Sequence, residues 1–482
     1  MSRKLYLVIW WHMHQPLYKD PFSGKYILPW TFLHALKDYY SMPAKARMYN
    51  IKINFNLTPV LIDQIQDYET EIPCLFTEKF LRSEDKSFWE KLIKTMPYPL
   101  ARRVPELQKI KEEIDRKGKT DESLKKISSL YLLTWFPEEN GILTEIEQKI
   151  VYGDISDQDI KEIFKQSKGV IRKIMPEYIK LKQENRGEVS ISPYYHPIIP
   201  LLIDFSSAEE SSPGIKLPQR VSLKDDAEEQ VKRAIEKYEK IFGEKPICMW
   251  PSEGGVSKDA IELFSKYGIK IIGTDEDVLF NSIGNRDKSL IYQKYKFGEM
   301  TIIFRDKELS DLIGFSYQHW NQKDAVADFI ARLRRIYESS HYMNPVVSVI
   351  LDGENCWEYY PDNGNEFIHN LYSELEKNKD WLKTADLKEI ILNDDINSEE
   401  LPKITAGSWI YGNFLKWIGH PEKNKFWNDV IKAKISVNNP RDKTNLLVAE
   451  GSDWFWWQGE THQPEFDKLF KANLKRFVEI NS

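Results

Sequence analysis

Short apolar runs recur along this chain, and each one stops at a polar tip. Leu5 to Trp11 is apolar throughout and runs into "HMHQP". Ile51 to Leu57 alternates, then meets Thr58-Pro59, a pair suited to opening a helix. Val189 to Ile191 leads into the proline-bounded stretch "PYYHP", and Ile247 to Trp250 stops at Pro251 before "SEGG". "IKIIGTDED" ends in acids, and "PVVSVILDGENCW" passes through Asp352 into glycine. These six runs predict strands. Between them lie stretches of helical period such as "SKDAIELFSKY", with Ser257 placed as an N-cap and Gly268 as the terminator.

Strands alternating with helices imply parallel pairing through crossover helices, in a barrel or an open sheet. Both architectures collect functional side chains at the C-terminal ends of the strands. His12, His14, Asn56, His196, Glu253, Asp275 and Asp352 all fall there. Two regions break the rhythm. Residues from about 63 to 180 are charged and helical in pattern, which reads as a helical insertion. Beyond about 385 the pattern turns helical again, with aromatic clusters at "GSWIYGNFLKWIGHPEKNKFW" and "EGSDWFWWQGETH". The expected organisation is an α/β unit over residues 1–385 and a helical region over 386–482.

Composition narrows the function. With 41% hydrophobic and 29% charged residues, the 482-residue chain has apolar material for a core and a well-hydrated surface. A net charge of −6 gives no electrostatic reason to expect nucleic acid or an anionic membrane as partner. No run approaches the ~20 apolar residues of a membrane span, and no cleavage signal follows the first apolar run, so a cytoplasmic location is expected. The Lys and Glu content is compatible with a thermophile. Cys74, Cys248 and Cys356 are scattered and odd in number, against a disulfide framework. The 15 Trp, 24 Tyr and 23 Phe exceed what a core of this size calls for, and aromatic rings also stack on sugars.

Glu253 and Asp352 each end an apolar run and precede a glycine, with Trp250 and Trp357 close by in sequence. Taken singly, either acid fits a solvated loop or a helix cap. As a pair on one rim, they match the two carboxyl groups of a glycosidase, each raising the other's resistance to ionisation. His12 and His14 share a strand face. They suit hydrogen bonding to sugar hydroxyls, or a metal if His196 or Asp275 adds further ligands.

The stretches "WHMHQP", "SPYYHPIIPLL", "MWPSEGGVS" and "VVSVILDGENCWEYYPDNG", with "GSWIYGNFLKWIGHPEKNKFW" as a fifth, resemble the ordered signature regions of glycoside hydrolase family 57. The resemblance runs in order along nearly the whole chain. It implies an incomplete (β/α)7 barrel with a helical insertion and a C-terminal helical region that completes the active site. It implies a retaining reaction on α-glucans, with Glu253 as nucleophile, Asp352 as general acid/base and no cofactor or catalytic metal. His12, His14, Gln15, His196, Trp250, Glu354, Trp357, Trp409 and Trp417 would bind substrate, with Trp409 and Trp417 on one helical face two turns apart. "WPSEGGVS" and "LDGENCWEYYPDNG" resemble the α-amylase and amylopullulanase group. Branching-type or 4-α-glucanotransferase activity is the alternative, since acceptor choice is not written in these motifs.

Overall fold

The computed structural model describes residues 3–70, 105–118, 120–136, 156–461 and 463–482. Ten strands form one sheet: β1 (Leu5–Met13), β2 (Asn54–Leu57), β3 (Val189–Ile191), β4 (Cys248–Met249), β5 (Ile271–Asp275), β6 (Lys294–Phe297), β7 (Met300–Arg305), β8 (Val346–Asp352), β9 (Leu382–Thr384) and β10 (Ser398–Glu400). Seven of them close a parallel ring in the order β1-β2-β3-β4-β5-β7-β8, and β8 pairs back to β1. β6 folds antiparallel onto β7, β10 extends β6, and β9 pairs parallel with the first residues of β1. The chain therefore forms the (β/α)7 barrel expected, with one strand, β7, that the apolar pattern did not single out.

Every residue of β1 is buried, because helices cover the outside and side chains fill the inside. The period of two then sorts its residues. Leu5, Leu7, Ile9, Trp11 and Met13 pack outward with the helices. Tyr6, Val8 and Trp10 pack inside the ring against Cys248, Trp250, Ile271, Ile303, Val346 and Ile350. One more step along each inward series brings a polar residue to the C-terminal mouth: His12 after Trp10, Asp352 after Ile350, Arg305 after Ile303. Register places Asn56, His12 and Asp352 side by side across three neighbouring strands.

The helix Pro59–Glu69 follows β2 directly, so its start precedes the expected insertion boundary at 63. The described residues between it and β3 form the helices Pro105–Lys117, Asp121–Leu133, Asp157–Ile171 and Ile174–Gln183. Residues 71–104 and 137–155, Cys74 among them, lie outside the described residues; Cys248 and Cys356 are free and buried. The C-terminal part carries Pro421–Ile435, Thr444–Ala449, Asp453–Trp456 and Pro464–Asn481. Residues 408–420, expected as a helix, form successive turns instead. Tyr411, Gly412 and Gly419 have positive φ there, which breaks a right-handed helix. Among the described residues no helix is long and apolar enough to cross a membrane.

Candidate active site

Glu253 owes its position to the turn that follows β4. Pro251 ends the strand, and Ser252, Glu253 and Gly254 make one tight turn in which Glu253 itself is left-handed, at φ 58°. That conformation costs a non-glycine residue on the order of 1–3 kcal/mol. Gly254 is favoured by its left-handed backbone and Gly255 by crowding. A Cβ on Gly254, at φ +61°, would meet the Trp250 ring at 3.2 Å, and one on Gly255 would meet the Ser252 carbonyl at 2.9 Å.

The Glu253 carboxylate accepts two hydrogen bonds, both from beyond the barrel. Ser452 Oγ donates to Oε1 at 2.8 Å, and Trp409 Nε1 donates to Oε2 at 2.8 Å. The Trp409 backbone N–H also bonds the Glu253 carbonyl at 3.0 Å. Burial raises the Glu253 carboxyl to about 7, with the nearby Asp453 charge adding to it. The Ser452 and Trp409 bonds, which favour the ionised form, pull the other way.

Asp352 ends β8, half-buried, and accepts from Asn355 Nδ2 at 3.0 Å. Its carboxyl is also raised. Burial is the main cause, opposed by Asn355, His14 and Arg305 and reinforced by Asp453. The mutual effect expected between Glu253 and Asp352 is not what raises it: burial comes first, and the carboxylate that adds to it is Asp453. Glu253 follows β4 and Asp352 ends β8, so both lie at the C-terminal ends of ring strands.

Three imidazoles stack on one another: His14 on His196 at 3.9 Å between centroids, and His12 on His196 at 5.1 Å. Hydrogen bonds set their protons. Asn56 donates its amide to Ser190, so its Oδ1 accepts from His12 Nδ1 at 2.7 Å. Ser452 gives its hydroxyl proton to Glu253, so His196 Nδ1 donates to Ser452 Oγ at 3.0 Å. His196 Nε2 is then a buried lone pair with no partner. His14 lies between Thr58 Oγ1 at 3.1 Å and Asp453 Oδ1 at 3.0 Å. Burial pushes His12 down to about 3 and His196 well below the ordinary range, so both are neutral.

The metal alternative draws on a different set from the one expected. His14, His196 and Asp453 each bring one ligand atom within 4.8 Å of the others. Asp275 is not among them: it is buried against Arg305, with Nη1 to Oδ2 at 3.2 Å.

The remaining expected site residues separate into rim and core. Trp409 is half-buried and touches Glu253 directly. Trp250 is fully buried between Trp10 and Trp409. Trp357 packs on Trp11 and Tyr360 and gives its N–H to the Gly353 carbonyl, so it offers no ring face to a sugar. Trp417 is fully buried beside Trp456. Glu354 turns inward: Oε1 accepts from the His14 backbone at 3.0 Å, Tyr39 at 3.2 Å and Gln15 at 3.5 Å. Burial first, then Asp352, raises the Glu354 carboxyl well above the usual range. Glu354 and Gln15 therefore brace the rim from beneath. Ser452 and Asp453 were not singled out by the sequence, although their stretch was.

The sequence profile of glycosyl hydrolase family 57 matches residues 8–405. The chain belongs to this family. A search of curated protein sequences gave no match. Among solved structures, the family 57 branching enzyme from Pyrococcus horikoshii aligns over 98% of this chain and 88% of its own, at 16% identity and TM-score 0.63. A branching enzyme from Thermococcus kodakaraensis aligns over 99% and 88%, at 14% and 0.62. An α-amylase from Thermotoga maritima aligns over 99% and 93%, at 14% and 0.62. At these identities the likeness is one of fold, and it covers the C-terminal helices as well as the barrel.

Proposed function

We propose that the protein cleaves α-glucans with retention at the anomeric carbon, Glu253 serving as nucleophile and Asp352 as general acid/base. The carrying observation is the contrast between the two carboxyls. Glu253 is gripped by two donors that favour its charged form, while Asp352 stands at a cavity with only Asn355 as a hydrogen-bond donor. A nucleophile needs the first environment and a proton donor the second. In the first step a Glu253 oxygen bonds to C1, the glycosidic C–O bond breaks, and the Asp352 proton goes to the departing oxygen. In the second a hydroxyl loses its proton to Asp352 as its oxygen attacks C1 and frees Glu253. His196 Nε2, a buried acceptor without a partner, suits a sugar hydroxyl.

Hydrolysis of α-1,4 bonds, in the manner of the α-amylase and amylopullulanase group, is the reading of the motifs. The related folds with branching and amylase activities keep transfer as the second reading. Proton NMR of the first product from maltooligosaccharides tests retention: the α-anomer is expected, and an initial β-anomer overturns the mechanism. Glu253→Ala should lose most of kcat and recover part of it with azide, giving a glycosyl azide. Turnover near wild type in that variant removes Glu253 from the role.

A further inference from the structure

Gln230 is fully buried on the helix Lys224–Phe242, among Val231, Ala234, Ile235 and Tyr238. A buried amide is costly unless its polar atoms find partners, and here both ends do. Oε1 accepts from the Tyr195 N–H at 2.9 Å. Nε2 donates to the Leu447 carbonyl at 2.8 Å and reaches Glu450 Oε2 at 3.4 Å. The Gln230 backbone carbonyl also accepts from the Tyr194 N–H at 3.2 Å. One residue thus joins two stretches that are far apart in sequence.

Both stretches lead directly to Glu253. Tyr195 precedes His196, and Glu450 lies two residues before Ser452. The Ser452 N–H bonds the His196 carbonyl at 3.0 Å. The Ser452 hydroxyl lies 3.0 Å from His196 Nδ1 and 2.8 Å from Glu253 Oε1. Between these contacts the two backbones touch. A Cβ on Gly451 would stand 2.6 Å from the Tyr195 carbonyl oxygen, a separation that no Cβ adopts. His196 is left-handed at φ 58°, which a non-glycine residue keeps only where its surroundings fix it. The helix itself is fastened on either side of Gln230. One turn earlier, buried Asp226 is gripped by Lys434, and by Lys443 at 2.9 Å. One turn later, Arg233 Nη1 donates to Thr444 Oγ1 at 3.2 Å.

We infer that Gln230 is a positioning residue for the reaction. It holds the stretches 194–196 and 447–452 at a fixed separation, so that the Ser452 hydroxyl stays aimed at Glu253. Among the described residues it hydrogen-bonds neither Glu253 nor Asp352, and it acts through the two stretches. The role calls for an acceptor and a donor at opposite edges of one side chain, which an amide supplies. The inference rests on the reading of Glu253 as nucleophile.

The acid limb of the kcat/KM pH profile reports the Ser452–Glu253 bond, so it separates positioning from mere support of the fold. The titratable groups facing Glu253 are Asp453, His14 and His196, and substitution at Gln230 removes none of them. Gln230→Met, similar in size and without either polar atom, should move the acid limb to higher pH by up to about one unit, the worth of the Ser452 bond. Its kcat should fall about tenfold, as for a small misplacement beside a reacting group, with KM for maltooligosaccharides little changed. Gly451→Ala pushes the same stretches apart without touching Gln230 and should act alike. Gln230→Asn keeps both polar atoms but is too short to span the two stretches, and it carries the test should Gln230→Met not fold. Val231→Ala, a buried apolar neighbour, should lower the melting temperature and leave the limb in place. Added to Ser452→Ala, Gln230→Met should shift the limb no further, because the bond it positions is already gone. A limb that moves in Ser452→Ala but in neither a Gln230 variant nor Gly451→Ala overturns the inference alone. A further shift in the double variant does so too, since Gln230 would then act on Glu253 by another route. Failure of the nucleophile reading shows separately, as retained turnover in Glu253→Ala, and takes the inference with it.

Discussion

On the proposed mechanism Glu253 must be ionised to attack C1, and at about 7 its carboxyl titrates near neutrality. Activity should therefore fall as pH drops through about 7. On the same mechanism Asp352 must hold its proton, which its burial favours, so activity should also fall once Asp352 ionises. The result is a bell whose two limbs belong to the pair. Ser452 tunes the acid limb. Its bond stabilises charged Glu253, so Ser452→Ala should raise the Glu253 pKa and move that limb to higher pH. A hydrogen bond to a charged group is worth about 1.5–3 kcal/mol and one pKa unit about 1.4 kcal/mol, so a shift of about one unit is expected. The pH profile of kcat/KM measures it; a limb that stays in place means that Ser452 does not share its proton with Glu253. At this scale the sequence singled out the two candidate acids, because a lone carboxylate between an apolar run and a glycine stands out. Ser452 was invisible. It lies 199 residues from Glu253, and a serine before a short helix carries no pattern of its own.

The barrel is closed by an unusual seam. β7 and β8 share one register pair, Arg305 with Ser348, where β1 and β8 share seven. Side chains make up the missing ladder. Arg305 Nε donates to the Ile350 carbonyl at 2.6 Å, while Nη1 reaches Asp275 and Nη2 reaches Asp311 at 2.5 Å. Ser310 Oγ accepts from the Ile350 N–H at 3.1 Å. Arg305→Met would leave the buried Asp275 carboxylate and the Ile350 carbonyl without their partner. A loss of about 3–5 kcal/mol is expected for breaking one side of such a buried pair. Lysine should not substitute, since one ammonium cannot span three acceptors in a plane. Denaturant unfolding of both variants gives the answer, and a change below about 1 kcal/mol would mean that backbone pairing alone holds the seam. Six of the seven ring strands were legible, most as apolar runs because both faces are covered, and β2 by its alternation. β7 was missed because it is the second arm of a hairpin whose first arm, Lys294–Phe297, alternates lysine with aromatics. The helix expected through Trp409 and Trp417 failed for a local reason, the left-handed residues Tyr411, Gly412 and Gly419.

Over the whole molecule, the proposed active site is assembled where the barrel meets the C-terminal segments. The barrel supplies Glu253, Asp352 and the histidines. The later chain supplies Trp409, Ser452 and Asp453, and the Val256–Gly407 bridge and the Ser452 N–H on the His196 carbonyl tie the two together. The sequence showed that aromatic clusters lay in the later chain, but not which rings would face a sugar, because that depends on how the turns at 408–420 direct them. Burial now divides them. Trp417 is fully enclosed, next to Trp456 and with its carbonyl accepting from Trp427 Nε1 at 3.0 Å. Trp417→Ala should cost about 3–5 kcal/mol, as for other large-to-small core changes. The protein that remains folded should keep the wild-type ratio of KM for long and short maltooligosaccharides. Trp409→Phe should do the opposite. A smaller aromatic ring stays, so stability should fall less than in Trp417→Ala, but the N–H on Glu253 Oε2 is gone and kcat should fall about tenfold or more, with the acid limb displaced to higher pH as in Ser452→Ala. Melting curves and chain-length profiles of the two variants settle the division. A changed chain-length preference in Trp417→Ala would mean that this buried ring shapes a sugar subsite after all, and that the C-terminal wall of the site reaches deeper than Trp409.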